Sequence, residues 1–310
     1  MTLAKKIIHS PMLRWAFLIV ALAGLLWAII KNWKSLLTAL SLLPWWAAPL
    51  SFVLAVVYVL FTLLSWYVVL ADLGSHLPWT SALSLFGLSQ IGKYIPGGVW
   101  NIVAAAQIGR DHKIPARRSV TAMTIAVLIS LLTGVGLGSV TLLTTSKTVQ
   151  VPTWIILVLL VLLCVILTPP ILNRLVDLCF ALLKRDSPGR KMTLSGLGLA
   201  TLLAILAWLV AGLQIWLLII GFGMSPSMGN LLLSIGAYAL AWVVGFIVVF
   251  VPAGTGVRES VLGLFFAGLL STGGVLGTVL VSRIAMTFAD LLFAGIAVLI
   301  NVMNRRKTQR

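Results

Sequence analysis

Two apolar runs of membrane-spanning length are each interrupted by proline and glycine, and this pairing constrains the fold more than any other feature. The first is Gln90-Ile91-Gly92-Lys93-Tyr94-Ile95-Pro96-Gly97-Gly98-Val99-Trp100-Asn101, and the second is Phe250-Val251-Pro252-Ala253-Gly254-Thr255-Gly256-Val257-Arg258-Glu259. Proline removes a backbone donor and glycine adds backbone freedom, so a helix entering at Ser81 should stop near Tyr94 and a new one should start near Val99. Hydrocarbon cannot satisfy the freed carbonyls and amides, so each break belongs against protein, water or a polar ligand. Paired interruptions in two halves of a membrane protein point to a substrate site where they meet. Two structural kinks are the plainer reading. The cations beside the breaks, Lys93 and Arg258, favour a site, because charge inside a bilayer is expensive and usually functional.

With 61% hydrophobic and 9% charged residues and a mean hydropathy of +1.14, the chain reads as an all-α, polytopic helical membrane protein. Residues 1–310 form a single integral membrane domain, with no stretch left over for an attached soluble catalytic domain. About seven full spans are expected, near residues 15–30, 47–70, 119–143, 154–172, 194–220, 230–251 and 275–302, together with two broken or re-entrant elements. The matched breaks suggest an internal repeat with halves at about 47–143 and 194–302. The first apolar run continues past Ala21-Leu22-Ala23 to Ile30, which fits an uncleaved signal anchor.

The formal charge of +16 could suit nucleic acid, yet the basic residues sit in short clusters between apolar runs. Topology accounts for them, and no nucleic-acid partner is expected. The positive-inside rule places both termini, the Arg110–Arg118 cluster and the segment from Asn173 to Thr193 in the cytoplasm of a bacterial cell whose inner membrane holds the protein. The Arg110–Arg118 cluster obeys that rule only if the first broken element turns back, so the element reads as re-entrant. Arg258–Leu270 is too short to cross a core of about 30 Å and reads as a half-helix or a tilted arm. Within the segment from Asn173 to Thr193, the apolar stripe Leu175, Leu178, Phe180 and Leu182 fits a helix lying on an anionic leaflet surface, or a plain loop.

Three cations fall within the apolar segments: Lys93, Arg258 and Arg283. Lys93 can snorkel to water or hold a phosphate. Arg258 lies in the first turn of a helix whose free amides already attract anions. Glu259 beside it can stabilise that helix start or neutralise a basic neighbour. Arg283 and Asp290 are two turns apart on one helix face, too distant to pair along the helix, so each needs a partner elsewhere, Glu259 among them. The candidate substrate-binding set is therefore Lys93, Tyr94, Pro96, Gly97, Gly98, Trp100 and Asn101 at the first break, and Pro252, Gly254, Thr255, Gly256, Arg258 and Glu259 at the second. Arg283 and Asp290 complete it.

Cys164 and Cys179 are isolated, and His9, His76 and His112 lack a second ligand at helical or hairpin spacing, so neither redox nor metal chemistry is indicated. The six carboxylates form no paired-acid signature, and no nucleotide-binding loop occurs. No cofactor or metal is expected.

The stretches Gly92–Trp100 and Val251–Glu259 resemble the two signature segments of the lysylphosphatidylglycerol synthase transmembrane-region family, and the resemblance covers nearly the whole chain. In multidomain members this region is regarded as the lipid flippase, while aminoacyl transfer belongs to a soluble C-terminal domain. A stand-alone member without that domain is expected to keep the translocation half alone: a transporter, not an enzyme, moving a phospholipid or other phosphate-bearing lipid between leaflets. Its partners would be membrane lipids. The alternative is a membrane-embedded transferase or accessory subunit in envelope lipid or glycan synthesis, with Glu259, Asp290 and Asp111 as candidate catalytic groups, or a partner of a separately encoded lipid-modifying enzyme.

Overall fold

The computed structural model describes residues 27, 29–95, 100–111, 114–145, 152–182, 189–248 and 252–308. Among these the chain is helical throughout, apart from turns and one isolated bridge between Ala267 and Leu270. In chain order the helices are α1 (Trp33–Leu42), α2 (Ala47–Asp72), α3 (Trp79–Ile91), α4 (Trp100–Asp111), α5 (Ala116–Thr145), α6 (Thr153–Ile166), α7 (Pro169–Leu182), α8 (Leu194–Gly221), α9 (Met228–Ile247), α10 (Val257–Phe266) and α11 (Thr272–Thr308). Short 3-10 turns at Gly92–Tyr94 and Pro252–Gly254 follow α3 and precede α10.

Polar contacts at the helix ends fix which ends lie together. At one end the Asp72 carboxylate closing α2 accepts hydrogen bonds from the Thr193 N–H (2.7 Å) and hydroxyl (2.8 Å) at the start of α8. The Thr193 hydroxyl in turn caps α8 by accepting from the Gly196 N–H. Arg118, at the start of α5, donates to the Gly74 carbonyl and the Ser75 hydroxyl, both at 3.0 Å. Ser84 in α3 donates to Asn301 near the end of α11 at 2.8 Å. At the opposite end Gly221, closing α8, packs on Leu43 and Ala47 at the start of α2. Gly273 and Gly277 of α11 pack there on Ser35 and Phe222, and the Trp216 indole donates to the Ser227 carbonyl that leads into α9.

These contacts decide how the broken elements run. Helix α3 leaves, and α4 returns to, the end where α2 stops and α5 starts. Gly92 lies directly on the backbone of Trp100 and Asn101 at the tip, while Gly109 lies back beside Leu85 and Ser119. The arms are antiparallel and the element is a re-entrant hairpin. At a rise of about 1.5 Å per residue, the 13 residues of α3 reach about 20 Å, short of a full crossing. Helices α9 and α10 form a second hairpin, packed through Leu233, Ala237, Ala241, Leu262 and Phe266, and it enters from the opposite end. The order long helix, hairpin, long helix thus occurs twice, as α2–α5 and α8–α11, with the two hairpins directed at one another; the first arm of the second hairpin, α9, is itself long and apolar enough to span.

Five described helices are long and apolar enough to cross a membrane, or six if α6 and α7 count as one broken span. Seven is not the count among the described residues. The expected first span, 15–30, falls almost wholly outside them, and the expected span at 154–172 is split by Pro169-Pro170 into two helices meeting at 74°. The amphipathic segment is helical, as one of the two readings had it, but it starts at Pro169 and ends by Leu182. Beyond Lys31, α1 packs along α11 and buries Leu36 and Ala39.

Small residues set the packing. Helices α2 and α8 make the most extensive contact, with Ala200, Ala204, Ala207 and Ala211 buried along α8, as close approach of helix backbones requires, while Gly212 lies on Ile235 of α9. Gly134 of α5 lies on Val243 and Trp208, and Gly138 on Leu240, whereas Gly136 faces Leu160 and Leu163 of α6. The tightest point is the hairpin tip, where a methyl group on Gly92 would meet the Trp100 carbonyl and the Asn101 nitrogen at under 3 Å. Backbone cannot rotate aside as a side chain can. Gly92→Ala is therefore expected to cost about 1–3 kcal/mol, read as a lowered melting temperature in detergent; an unchanged melting curve would show that the tip can spread.

Candidate functional site

The two hairpin tips touch, the 3-10 turn Gly92–Tyr94 lying against the turn Pro252–Gly254. Each tip supplies a cation, Lys93 at the first and Arg258 at the second, and α11 brings Asp290 to the first tip and Arg283 to the second. Lys93 Nζ lies 2.7 Å from Asp290 Oδ2, and the Tyr94 hydroxyl donates to the same oxygen at 2.6 Å. Two turns earlier on α11, Arg283 Nε lies 3.3 Å from Glu259 Oε1 of α10. The Arg283 guanidinium also donates to the Ala253 carbonyl (3.2 Å) and the Thr255 hydroxyl (2.9 Å), so it holds the second break in shape. Glu259 plays both roles open to it: its other oxygen accepts the Gly256 N–H at 2.6 Å, capping α10.

The second break is locally strained. Ala253 has φ +50° and is followed by Gly254 at φ +68° and Gly256 at φ +82°. A left-handed alanine costs of order 1–3 kcal/mol and persists only where the surroundings over-determine it; here its carbonyl is fixed by Arg283.

Arg258 differs from the other charges. Its Nε is buried without a hydrogen-bond partner, and its guanidinium carbon lies 5.2 Å from the centre of the Trp242 ring. The aliphatic stem passes between Gly245 of α9 and Gly254, at either of which a Cβ would collide with it. A cation–π contact with tryptophan stabilises an arginine, but supplies no counter-charge. Three cations and two carboxylates meet here, and the sequence at 96–99 and 249–251 adds no ionisable group. The site carries a surplus of one positive charge.

Around these groups are two adjoining cavities of about 60 and about 120 Å³, both lined by Tyr58, Lys93, Trp242, Arg258 and Asp290. They lie deep in the bundle. Arg283 and Asp290 are 11 and 18 residues into α11, about 17 and 27 Å along a helix of 37 residues. Asp290 is 2% exposed and Glu259 8%.

Most of the residues singled out from the sequence come together here: Lys93, Tyr94, Arg258, Glu259, Arg283 and Asp290 line the smaller cavity, and Asn101 and Gly254 the larger. Thr255 and Gly256 hold the break rather than line a cavity. Pro252 opens the second 3-10 turn. Trp100 starts α4, is 41% exposed and lines neither cavity. Pro96, Gly97 and Gly98 lie outside the described residues. Sequence reasoning missed Tyr58, Tyr238, Trp242 and Gly245. A signal was available: of the chain's four tyrosines, Tyr58, Tyr94 and Tyr238 are at this site, Tyr58 and Tyr238 in mid-helix and Tyr94 at the first break rather than at the interfacial positions that tyrosine favours.

A family model described as the lysylphosphatidylglycerol synthase TM region matches residues 14–294. The chain belongs to this family. Like the lysylphosphatidylglycerol synthase TM region as a family, it is a multi-pass membrane protein tied to lipid metabolism or transport. A search of curated proteins returns no match. Within the matched region lie both hairpins and all eight charged or phenolic residues that line the smaller cavity at the junction of the tips.

Proposed function

We propose that the chain is a transporter that moves a phosphate-bearing lipid between leaflets, with the lipid phosphate bound at Arg258. The observation that carries this reading is the Arg258 guanidinium, its Nε buried and its charge without an ion pair among the described residues, at the junction of the two hairpin tips. An uncompensated buried cation is costly, and an anion is the group that offsets it. Tip amides and the start of α10 add partial positive charge on the same side. Glu259 and Asp290, the carboxylates available for acid–base work, are both engaged in ion pairs, which favours transport over group transfer. The basic loops gathered at one end would face the cytoplasm of a bacterial inner membrane, and the amphipathic α7 would rest on the anionic leaflet there.

In this reading the two ion pairs tie both tips to α11, so the tips can rearrange around a bound phosphate without exposing a lone charge. The test is reconstitution of the purified chain into liposomes containing a headgroup-labelled phospholipid, with outer-leaflet label destroyed by an impermeant reductant. Transport leaves no protected pool, whereas half the label surviving, as in empty liposomes, would overturn the reading. Gly245→Ala offers a sharper version, since its methyl group would occupy the space of the Arg258 stem. Transport is expected to fall about tenfold or more through displacement of a binding group by around 1 Å, with tryptophan fluorescence reporting the altered Trp242–Arg258 contact.

A further inference from the structure

The larger cavity extends from the cationic junction into a compartment of different chemistry. Beyond Arg258 and Asp290 its walls include Thr62, Ser65, Trp66, Gln90, Asn101 and Ser130. None of these six is ionisable, and all carry hydrogen-bonding groups. The Thr62 and Ser65 hydroxyls donate to the Val59 and Ala200 carbonyls, at 2.7 and 2.9 Å, so toward a ligand they are left as acceptors. The Trp66 indole N–H is buried without a partner, and so is Asp290 Oδ1. The compartment therefore has an unsatisfied donor, an unsatisfied acceptor supplied by the Asp290 carboxylate at its border, and amide groups of both kinds.

We propose that the lipid bound here carries a neutral, hydroxyl-rich headgroup beyond its phosphate, of the glycerol or sugar class, and that a cationic aminoacylated headgroup is disfavoured. This rests on the transport reading for the placement of the phosphate at Arg258. A hydroxyl both donates and accepts, so it can meet the Trp66 N–H and Asp290 Oδ1, whereas an ammonium only donates. Charge points the same way. An ammonium next to the phosphate would enter a site already one positive charge in surplus, where both carboxylates are held by Lys93, Tyr94 and Arg283. A bare phosphate monoester would leave the hydroxyl and amide groups without a ligand, and unpaired buried polar groups are the source of strong discrimination between analogues.

The experiment is binding to the full chain in detergent, followed by tryptophan fluorescence and by thermal shift, with phosphatidylglycerol, lysylphosphatidylglycerol and phosphatidic acid of matched acyl chains, and with soluble glycerol phosphate. Phosphatidylglycerol is expected to bind about tenfold more tightly than the lysyl lipid and several-fold more tightly than phosphatidic acid. Gln90→Leu and Asn101→Leu are expected to erase the advantage over phosphatidic acid without weakening phosphatidic acid itself; if either fails to purify as a monodisperse protein, Thr62→Val serves in its place. Equal or tighter binding of the lysyl lipid, equal binding of phosphatidic acid, or no binding of any lipid would overturn the proposal. Glycerol phosphate matching phosphatidylglycerol would assign the site to a soluble ligand and overturn its lipid form. Because binding is read without transport, the expected order of affinities in a chain that moves no lipid would leave this assignment standing and remove the transport reading alone.

Discussion

Arg258→Ala is expected to reduce anion affinity about a hundredfold, roughly 3 kcal/mol, and to abolish lipid transport while leaving the fold intact. Its distinctive feature is the dissociation of function from stability. Removing one partner of a buried ion pair normally strands the other, but among the described residues no carboxylate pairs with Arg258. It packs on the Trp242 ring and against the glycines at 245 and 254. The variant should melt at or above the temperature of the parent chain, since an uncompensated charge is removed from a poorly solvated place. Arg258→Lys should recover only part of the activity, because an ammonium lacks the planar fork that grips phosphate at two oxygens. Liposome transport and melting temperature, measured on the same preparations, check the claim. A variant that transports like the parent would make Arg258 a packing residue; one that unfolds would make it structural.

Asp290→Ala should behave in the opposite way. Both the Lys93 ammonium and the Tyr94 hydroxyl converge on one oxygen of this carboxylate, which is 2% exposed. Truncation leaves a largely covered cation and a phenol without an acceptor, at an expected cost of about 3–5 kcal/mol. That is a large share of the stability of an ordinary domain. The loss should be repaired by removing the cation too. Lys93→Met with Asp290→Leu replaces the pair by apolar groups of similar volume, and such replacements are often neutral or stabilising. The double variant is therefore expected to regain a near-parental melting temperature while remaining inactive if the pair also tethers the first tip during transport. Additive destabilisation in the double variant, measured as a thermodynamic cycle, would show that the two residues are not coupled.

Lys93 and Arg258 look equivalent in the sequence, each a cation beside a Pro-Gly break. They are not equivalent in the structure. The difference lies in α11, whose Asp290 reaches Lys93 and whose Arg283 takes Glu259, the one carboxylate near enough in sequence to serve Arg258. Lys93→Ala should consequently resemble the Asp290 variant, with a stability loss, rather than the Arg258 variant.

The sequence by itself determined the class, because apolar runs that recur over the whole chain with so few charges can only be helices in a bilayer. It also determined where the helices fail: Pro and Gly act locally, so α3 stops at Ile91 and α4 resumes at Trp100, close to the expected positions. The same locality made the start of its own helix one of the two roles open to Glu259, and it serves there. Three things were decided only by tertiary structure. Which end each hairpin enters from depends on contacts such as Asp72 with Thr193 and Arg118 with Gly74, made between residues far apart in the chain. Whether 154–172 is one span or a bent pair depends on what packs beyond Pro169-Pro170, since a proline pair permits a kink without fixing its angle. And which cation is left without a counter-ion depends on the rotation of α11 against both tips. Periodicity sets the spacing of Arg283 and Asp290 along one face, but the face is aimed by the packing of the helices around it, and that aim leaves Arg258 as the surplus charge.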